Sequence, residues 1–165
     1  MKHVFSLFII LLISVNPLLV NAEEVVLAGG CFWCLEHDLE SLNGINDVMS
    51  GYSGSDLMNP SYENHIGHQE VVLVNYEASK ISLEEILRVY LRNVDPLDGD
   101  GQFCDRGDSY RPVIFFNDDN EENIALNAIS SAAIELSVPI EQIEIELKKR
   151  SKFWKAEDYH QDFAD

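Results

Sequence analysis

The sequence predicts an α+β sandwich, and three observations lead to that prediction. The chain has 165 residues, enough for one domain with a substantial core. Hydrophobic residues make up 46% of it, which excludes a disordered chain. The predicted elements run strand, helix, strand, strand, helix, strand, helix, strand, and their hairpin-length links favour a mixed sheet over a doubly wound parallel sheet.

The first half of the chain predicts three strands and one helix. A buried strand is expected at 24–28, where an apolar run is continuous. A helix is expected at 32–42, because leucines recur there at helical spacing. A short strand follows at 48–52 and a strongly apolar one at 71–76. Glycines and an Asn-Pro pair between these two strands predict a long loop.

The second half of the chain begins with a predicted helix whose start carries a capping signal. Residues 82–85, Ser-Leu-Glu-Glu, form a capping box in front of helical apolar positions. A second long loop, rich in glycine and aspartate, is expected at 95–111; two such loops in so small a domain indicate function. The remaining predicted elements are a strand at 112–116, an amphipathic helix at 121–136, a half-exposed strand at 142–147 and an aromatic tail at 153–163.

The first 22 residues are predicted to form a secretory signal peptide. A short basic start and an apolar run at 4–15 precede small residues that end at Ala22. We expect cleavage near Ala22, which leaves one domain at 23–165 and an exported protein, periplasmic or secreted. An uncleaved anchor is the alternative; the apolar run is shorter than the ~20 residues that a spanning helix needs.

The chain is strongly acidic. It has 29 Asp and Glu residues against 11 Lys and Arg, a formal net charge of −18. Nucleic acids and anionic membranes both require a basic face, so neither is expected as a partner. A well-solvated surface accounts for the acidic residues, and no specific basic partner is needed to explain them.

The stretch Gly30-Cys31-Phe32-Trp33-Cys34 carries the strongest chemical signal. Its glycine turn follows an apolar strand and opens a helix, so the first thiol sits at the positive end of the helix dipole. We expect that position to lower the pKa of Cys31 and to make it an activated nucleophile. The aromatic pair Phe32 and Trp33 is expected to form a wall for a small apolar group.

Four interpretations of the cysteine pair compete. A zinc site needs further ligands, which Cys104 and nearby histidines can supply, but a second close pair is missing. Haem attachment needs a histidine directly after Cys34, and Leu35 stands there. A thioredoxin-like oxidoreductase fits the spacing and export but leaves the glycine-rich loops without a role. The fourth is a cysteine that attacks an oxidised substrate and is regenerated through a disulfide; packing alone explains the pair poorly.

Glu70 and three loop residues are further candidates. Glu70 directly precedes an apolar strand, where lost solvation raises its pKa until it can donate a proton near neutral pH. An ordinary carboxylate at a strand edge is the alternative. Tyr62, Asp105 and Tyr110 can hydrogen-bond a polar substrate atom. Turn formation is the other explanation for these loops, because Asp and Gly are common in turns.

Five motifs follow one another in the order found in A-type peptide methionine sulfoxide reductases, and the chain resembles that family from residue 24 to 161. They are Gly-Cys-Phe-Trp-Cys, Gly-Tyr-Ser-Gly with Asn-Pro-Ser-Tyr, Gly-His-Gln-Glu, Asp-Arg-Gly-Asp-Ser-Tyr-Arg and Ala-Glu-Asp-Tyr-His-Gln. The resemblance implies a two-layer sandwich with a ferredoxin-like mixed sheet and helices packed on one face. It also implies reduction of the S epimer of methionine sulfoxide, free or in oxidised proteins, without a metal or an organic cofactor.

The resemblance also assigns roles by motif to a catalytic domain at 23–165, expected to act as a monomer. Cys31 would be the nucleophile, and Glu70 the acid near the sulfoxide oxygen. Phe32 and Trp33 would hold the substrate's methyl group. The polar side of the pocket would be completed by Tyr62, Asp105 and Tyr110.

The sulfenic acid left on Cys31 is expected to condense with a second thiol. Many relatives have Gly where this chain has Cys34 and keep a resolving cysteine in a C-terminal tail; here no cysteine follows Cys104. Either Cys34 or Cys104 resolves the sulfenic acid, or the reductant attacks it directly. Cys34 has favourable helix-start spacing, whereas Cys104 adjoins Asp105, and spacing favours Cys34. A thioredoxin-like thiol donor would then open the disulfide by exchange.

Overall fold

The computed structural model describes residues 22–164, and the predicted signal peptide lies outside them except for Ala22. The helices are α1 (Phe32–Glu40), α2 (Leu83–Asn93) and α3 (Asp119–Leu136). The strands are β1 (Ala22–Ala28), β2 (Ile45–Ser53), β3 (Gln69–Glu77), β4 (Gly101–Gln102), β5 (Asp105–Arg106), β6 (Val113–Phe116), β7 (Glu146–Lys149) and β8 (Trp154–Lys155).

Six of these strands form one mixed sheet in the order β7-β6-β1-β3-β2-β8. Neighbouring strands are antiparallel except β6 and β7, which run parallel. The short strands β4 and β5 form a separate hairpin. In the β2–β3 register Tyr52 lies opposite Glu70, so the two residues are cross-strand neighbours. The α+β class with a mixed sheet is confirmed.

The described helices pack on one face of the sheet. Their buried side chains join one apolar cluster with strand residues that include Leu27, Val72 and Ile114. Each fully buried side chain of this kind contributes about 1.5–3 kcal/mol, so the cluster anchors the start of α1 firmly. The hydroxyl of Tyr90 in α2 donates a hydrogen bond to the carbonyl of Ala28 at 2.7 Å, which ties α2 to the end of β1.

The opposite face carries a smaller apolar cluster that the C-terminal segment covers. Phe153 packs against this cluster, whose members include Val71 and Phe115. A Cβ at Gly51 would lie 2.4 Å from the ring of Phe153, so glycine allows the segment to cross β2 closely. Pairing of β8 with β2 then brings residues 156–164 beside the start of α1.

Two predicted regions differ from the structure. Residues 142–147 were expected to form one strand, but 140–142 form a 3-10 turn and β7 begins at Glu146. Pairing with β6 determines this start, because the Glu146 N–H donates to the carbonyl of Pro112 at 3.1 Å. The loop at 95–111 contains the β4–β5 hairpin.

No helix within residues 22–164 is both long and apolar enough to cross a membrane.

Candidate active site

Cys31 lies where β1 turns into α1, directly before the first residue of the helix. Gly30 makes this turn with φ of +83°, and a Cβ there would lie 2.7 Å from Cβ of Gln102. Its N–H donates to the carbonyl of Tyr110 at 3.1 Å. The glycine therefore provides both the left-handed backbone and the close approach that presses the loop at 95–111 against the cysteine.

The Cys31 thiol is half-buried and has a raised pKa of about 11. Burial is the largest cause, and the nearby Cys34 and Glu70 raise the pKa further. The backbone N–H groups at the helix start lower it, as the sequence argument expected, but they do not outweigh burial. The expectation of a lowered pKa is therefore wrong, and the resting group is a protonated thiol.

Glu70 lies at the start of β3 and is 2% exposed. Its Oε2 accepts a hydrogen bond from the backbone N–H of Phe32 at 3.3 Å. Burial raises the pKa of Glu70 to about 7, and the neighbouring Asp105 adds to the rise, while the Phe32 N–H opposes it. The predicted direction of the shift is confirmed, and the carboxyl can hold a proton near neutral pH.

The structure brings Tyr62, Asp105 and Tyr110 around this carboxyl. Burial raises the pKa of Tyr110 to about 12, and Glu70 contributes to the rise. The pKa of Tyr62 is also raised, first by burial and then by Glu70 and Cys31. Both phenols therefore remain protonated donors at neutral pH. Electrostatic interactions connect all five residues that the sequence singled out as catalytic, and Glu70 interacts with each of the other four.

Aromatic side chains at the start of α1 and in the loop after β2 form another part of the site. Phe32 has no exposed surface and lies 5.8 Å from Trp33, measured between ring centroids. Tyr62 stacks against both rings, at 6.4 and 6.3 Å. Because Phe32 is fully buried, the aromatic surface open to a ligand belongs to Trp33, which is partly buried, and to Tyr62, which is exposed.

The two candidate resolving cysteines are exposed and free. Cys34 lies in the first turn of α1, where its N–H donates to the carbonyl of Cys31 at 3.1 Å. Cys104 lies at the turn of the β4–β5 hairpin. Among residues 22–164 no three His, Cys, Asp or Glu side chains cluster as metal ligands do, so a zinc-stabilised module has no ligand set in this range.

Sequence reasoning missed several residues that shape the site. The ring of His160 lies 5.3 Å from that of Phe32, and Phe163 stacks on Trp33 at 4.0 Å. Glu36 is buried, and its Oε1 accepts a hydrogen bond from the N–H of Ser50 at 3.3 Å. Glu36 had a local signal, because it shares a helical face with Phe32. His160 lies in the Ala-Glu-Asp-Tyr-His-Gln motif and Phe163 in the aromatic tail, but neither pattern indicated a contact with α1.

A Cys31 thiol held beside the protonatable Glu70 carboxyl is the arrangement expected of a thiol-dependent oxidoreductase. The sequence profile of the family described as peptide methionine sulfoxide reductase matches residues 23–165. The chain belongs to the peptide methionine sulfoxide reductase family.

Two bacterial relatives illustrate the match. The peptide methionine sulfoxide reductase MsrA of Leuconostoc mesenteroides is 42% identical over 146 residues, which cover 86% of this chain and 84% of that protein. The MsrA/MsrB protein of Vibrio cholerae is 38% identical over 154 residues. That match covers 91% of this chain but 40% of the longer relative.

The fold is similar to that of Mxr1 from Saccharomyces cerevisiae. Mxr1 in reduced form gives a TM-score of 0.77 at 27% identity, with 86% of this chain and 83% of that chain covered. Mxr1 in complex with Trx2 gives a TM-score of 0.63 at 19% identity, with 92% and 91% covered. The second comparison shows likeness of fold alone.

Proposed function

We propose that this chain is a peptide-methionine (S)-S-oxide reductase in which Cys31 attacks the sulfoxide sulfur. One observation carries the proposal: the hydrogen bond from the Phe32 N–H holds the Glu70 carboxyl beside the nucleophile. A sulfoxide sulfur is a poor electrophile until its oxygen is protonated or strongly hydrogen-bonded. A thiol and a proton donor in one pocket meet that requirement.

Glu70 supplies the proton in this proposal. With a pKa of about 7, a large fraction of this carboxyl is protonated at neutral pH. Tyr62 and Tyr110 donate hydrogen bonds to the same oxygen and stabilise the charge that develops on it. Asp105 acts through Glu70, because its negative charge favours the protonated form of that carboxyl.

The oxygen atom moves from substrate to enzyme. The sulfur of Cys31 bonds to the substrate sulfur while Glu70 gives its proton to the sulfoxide oxygen, and the resulting Glu70 carboxylate takes up the proton of the thiol. The hydroxyl group then passes from the substrate sulfur to the Cys31 sulfur as the S–S bond breaks, so that Cys31 is oxidised to a sulfenic acid and methionine leaves as the reduced thioether. Thiol and sulfoxide thus become sulfenic acid and thioether with no net change in protons.

The aromatic wall selects the substrate's methyl group. Trp33 and Tyr62 offer apolar surface beside the nucleophile, and Phe32 keeps both rings in place. Contact between a methyl group and aromatic rings orients the sulfur toward Cys31 and excludes water from the reacting atoms.

Cys34 resolves the sulfenic acid, with loss of water and formation of a disulfide to Cys31. Its exposed position in the first turn of α1 supports this role and also makes the disulfide accessible to a reductant. Cys104 is the alternative partner. A thioredoxin-like dithiol then opens the disulfide by exchange. The yeast protein Mxr1, which is 27% identical to this chain in its reduced form, has been solved in complex with Trx2, and this supports a donor of this class.

The enzyme acts as an exported monomer after removal of its signal peptide. The basic start and apolar run before Ala22 support export. N-terminal sequencing of protein recovered outside the cytoplasm should give Glu23 as the first residue. An intact N-terminus would reject cleavage, and light scattering showing a dimer would reject the monomer.

The activity is tested with the separated epimers of a methionine sulfoxide substrate and dithiothreitol as reductant. The S epimer should turn over, and the R epimer serves as the control that should not. An absence of turnover with the S epimer rejects the proposal. Reduction of insulin disulfides without any sulfoxide turnover would instead favour a general thiol–disulfide oxidoreductase.

A further inference from the structure

Tyr62 lies in the loop between β2 and β3 and is 39% exposed. A loop residue at the surface does not hold a hydroxyl in a fixed position by itself. Its backbone N–H donates a hydrogen bond to Oε1 of Glu157 at 3.1 Å, across 95 positions of the chain. The C-terminal turn therefore anchors the loop at Tyr62, the residue whose hydroxyl the proposed function assigns to the sulfoxide oxygen.

The second oxygen of Glu157 reaches the sheet. The hydroxyl of Tyr52 donates to Oε2 of Glu157 at 3.1 Å. Tyr52 is fully buried and lies opposite Glu70 in the β2–β3 register. One carboxylate thus connects the loop that carries Tyr62 with the strand position that faces the proton donor.

The groups around Glu157 keep its carboxyl charged, and one of them packs against Tyr62. Burial raises the pKa of Glu157, but hydrogen bonds from its own backbone, Tyr62 and Tyr52, together with His160, hold that pKa below its usual range. The ring of His160, in the same turn, lies 4.6 Å from that of Tyr62. Loss of the carboxylate would leave the buried Tyr52 hydroxyl without its acceptor, which is costly.

We propose that Glu157 is a positioning residue that fixes Tyr62 relative to Glu70. The inference rests on the proposed function, in which Tyr62 donates to the sulfoxide oxygen. A carboxylate suits this role, because it accepts hydrogen bonds at both oxygens and needs no particular amide orientation. Composition and spacing left the Ala-Glu-Asp-Tyr-His-Gln segment without a role, and the proposal assigns the positioning of Tyr62 to one of its residues, Glu157.

Single-turnover kinetics with saturating S epimer test the proposal. Glu157→Ala should lower the rate of methionine release by about 10- to 100-fold, with the half-saturating concentration changed by less than about twofold. Glu157→Gln, which keeps one oxygen for the Tyr62 N–H, should recover part of the rate. The matched control is Asp158→Ala, whose side chain is fully exposed and pairs with Lys155, and it should behave as wild type.

A double-mutant cycle shows whether Glu157 acts through Tyr62. In a Tyr62→Phe background, Glu157→Ala should cost less than about threefold in rate, because the hydroxyl that it positions is gone. An equal loss in both backgrounds overturns the proposal. If Glu157→Ala does not fold, the same cycle with Glu157→Gln decides, and the loss should again shrink in the Tyr62→Phe background.

Hydrogen–deuterium exchange gives a readout that does not depend on activity. Peptides covering 55–67 should exchange faster in Glu157→Ala than in wild type or Asp158→Ala, because the Tyr62 N–H loses its acceptor. Unchanged exchange overturns the proposal. Faster exchange in a protein whose wild type does not reduce the S epimer would support the anchor while rejecting the proposed function.

Discussion

The backbone N–H of Phe32 donates to Oε2 of Glu70 at 3.3 Å and joins the start of α1 to β3. This N–H is one of the donors that a helix leaves unpaired at its first turn. The contact and the helix dipole both favour a charged carboxylate, yet burial raises the pKa of Glu70 to about 7. The protein therefore keeps a proton-bearing carboxyl within reach of the nucleophile.

Glu70→Gln should remove the proton donor while keeping an oxygen for the Phe32 N–H. We expect kcat to fall about 10²- to 10⁴-fold, the range that general acid catalysis supplies. The fold should persist, as circular dichroism can show. Glu63→Gln, an exposed carboxyl in the neighbouring loop, is the control that should retain activity.

The same residue predicts the pH profile. Because Glu70 must be protonated to act as the acid, the rate of sulfoxide reduction by the wild type should fall as pH rises through about 7. The residual rate of Glu70→Gln should show no such decline. A wild-type profile that is flat between pH 6 and 8 would contradict the role assigned to this carboxyl.

Glu36 should make the protein less stable as pH rises. Burial raises the pKa of Glu36 to about 7, and Asp162 and Glu40 add to the rise, although the hydrogen bonds with Ser50 oppose it. The folded state then binds more protons than the unfolded chain between pH 4.5 and 7, so stability is lost over that window. A shift of this size corresponds to on the order of 3 kcal/mol.

Urea unfolding of Glu36→Gln checks this expectation. The variant should be close to wild type at pH 5 and more stable than wild type at pH 8, because an amide carries no charge to bury. Glu141→Gln, on an exposed turn, controls for the general effect of removing one negative charge. The same stability difference at both pH values would rule out the titration of Glu36 as its source.

The resolving cysteine is open to direct mapping. After one turnover without reductant, peptide mapping should find a disulfide between Cys31 and Cys34, whose spacing in a helical turn suits the bond. Cys34→Ser should accumulate the sulfenic acid, which dimedone traps, whereas Cys104→Ser should behave as wild type. A dominant link between Cys31 and Cys104 would reverse the assignment.

Gly30→Ala should disturb the nucleophile itself. Its φ of +83° is strained for alanine, and the new Cβ would meet Gln102, so Cys31 must move and the rate should fall about 100-fold. Gly44→Ala is the matched control, with φ of +105° and a 2.8 Å contact to Ile81 far from the site. It should lose stability, measured by thermal unfolding, and keep its specific activity.

Local sequence signals predicted the helices and most strands well. The capping box at Ser82 is present, with the Ser82 hydroxyl accepting from the Glu85 N–H, and it begins α2 where expected. Such signals depend on residues a few positions apart, so the sequence displays them directly. The start of β7 depends on pairing with Pro112 in another part of the chain, and alternation alone misplaced it.

The sequence predicted which residues form the site, but it predicted their burial and pKa shifts less well. The motifs marked Cys31 and Glu70, and lost solvation predicted the direction of the Glu70 pKa. Helix-start logic failed for the Cys31 pKa, because burial by distant segments outweighs the local N–H groups. The contacts of Glu157 join the C-terminal turn to β2 and the loop after it, 105 and 95 positions earlier in the chain, and no spacing rule displays them.

The most direct test of the central claim is the amount of methionine released from the S epimer in the absence of reductant. Wild type should release about one methionine per enzyme and then stop, because the oxidised cysteine cannot be recycled. Cys31→Ser should release none, and Cys34→Ser should still give the first turnover. Methionine release by Cys31→Ser, or no release by wild type, would contradict the assignment of Cys31 as the sulfur nucleophile.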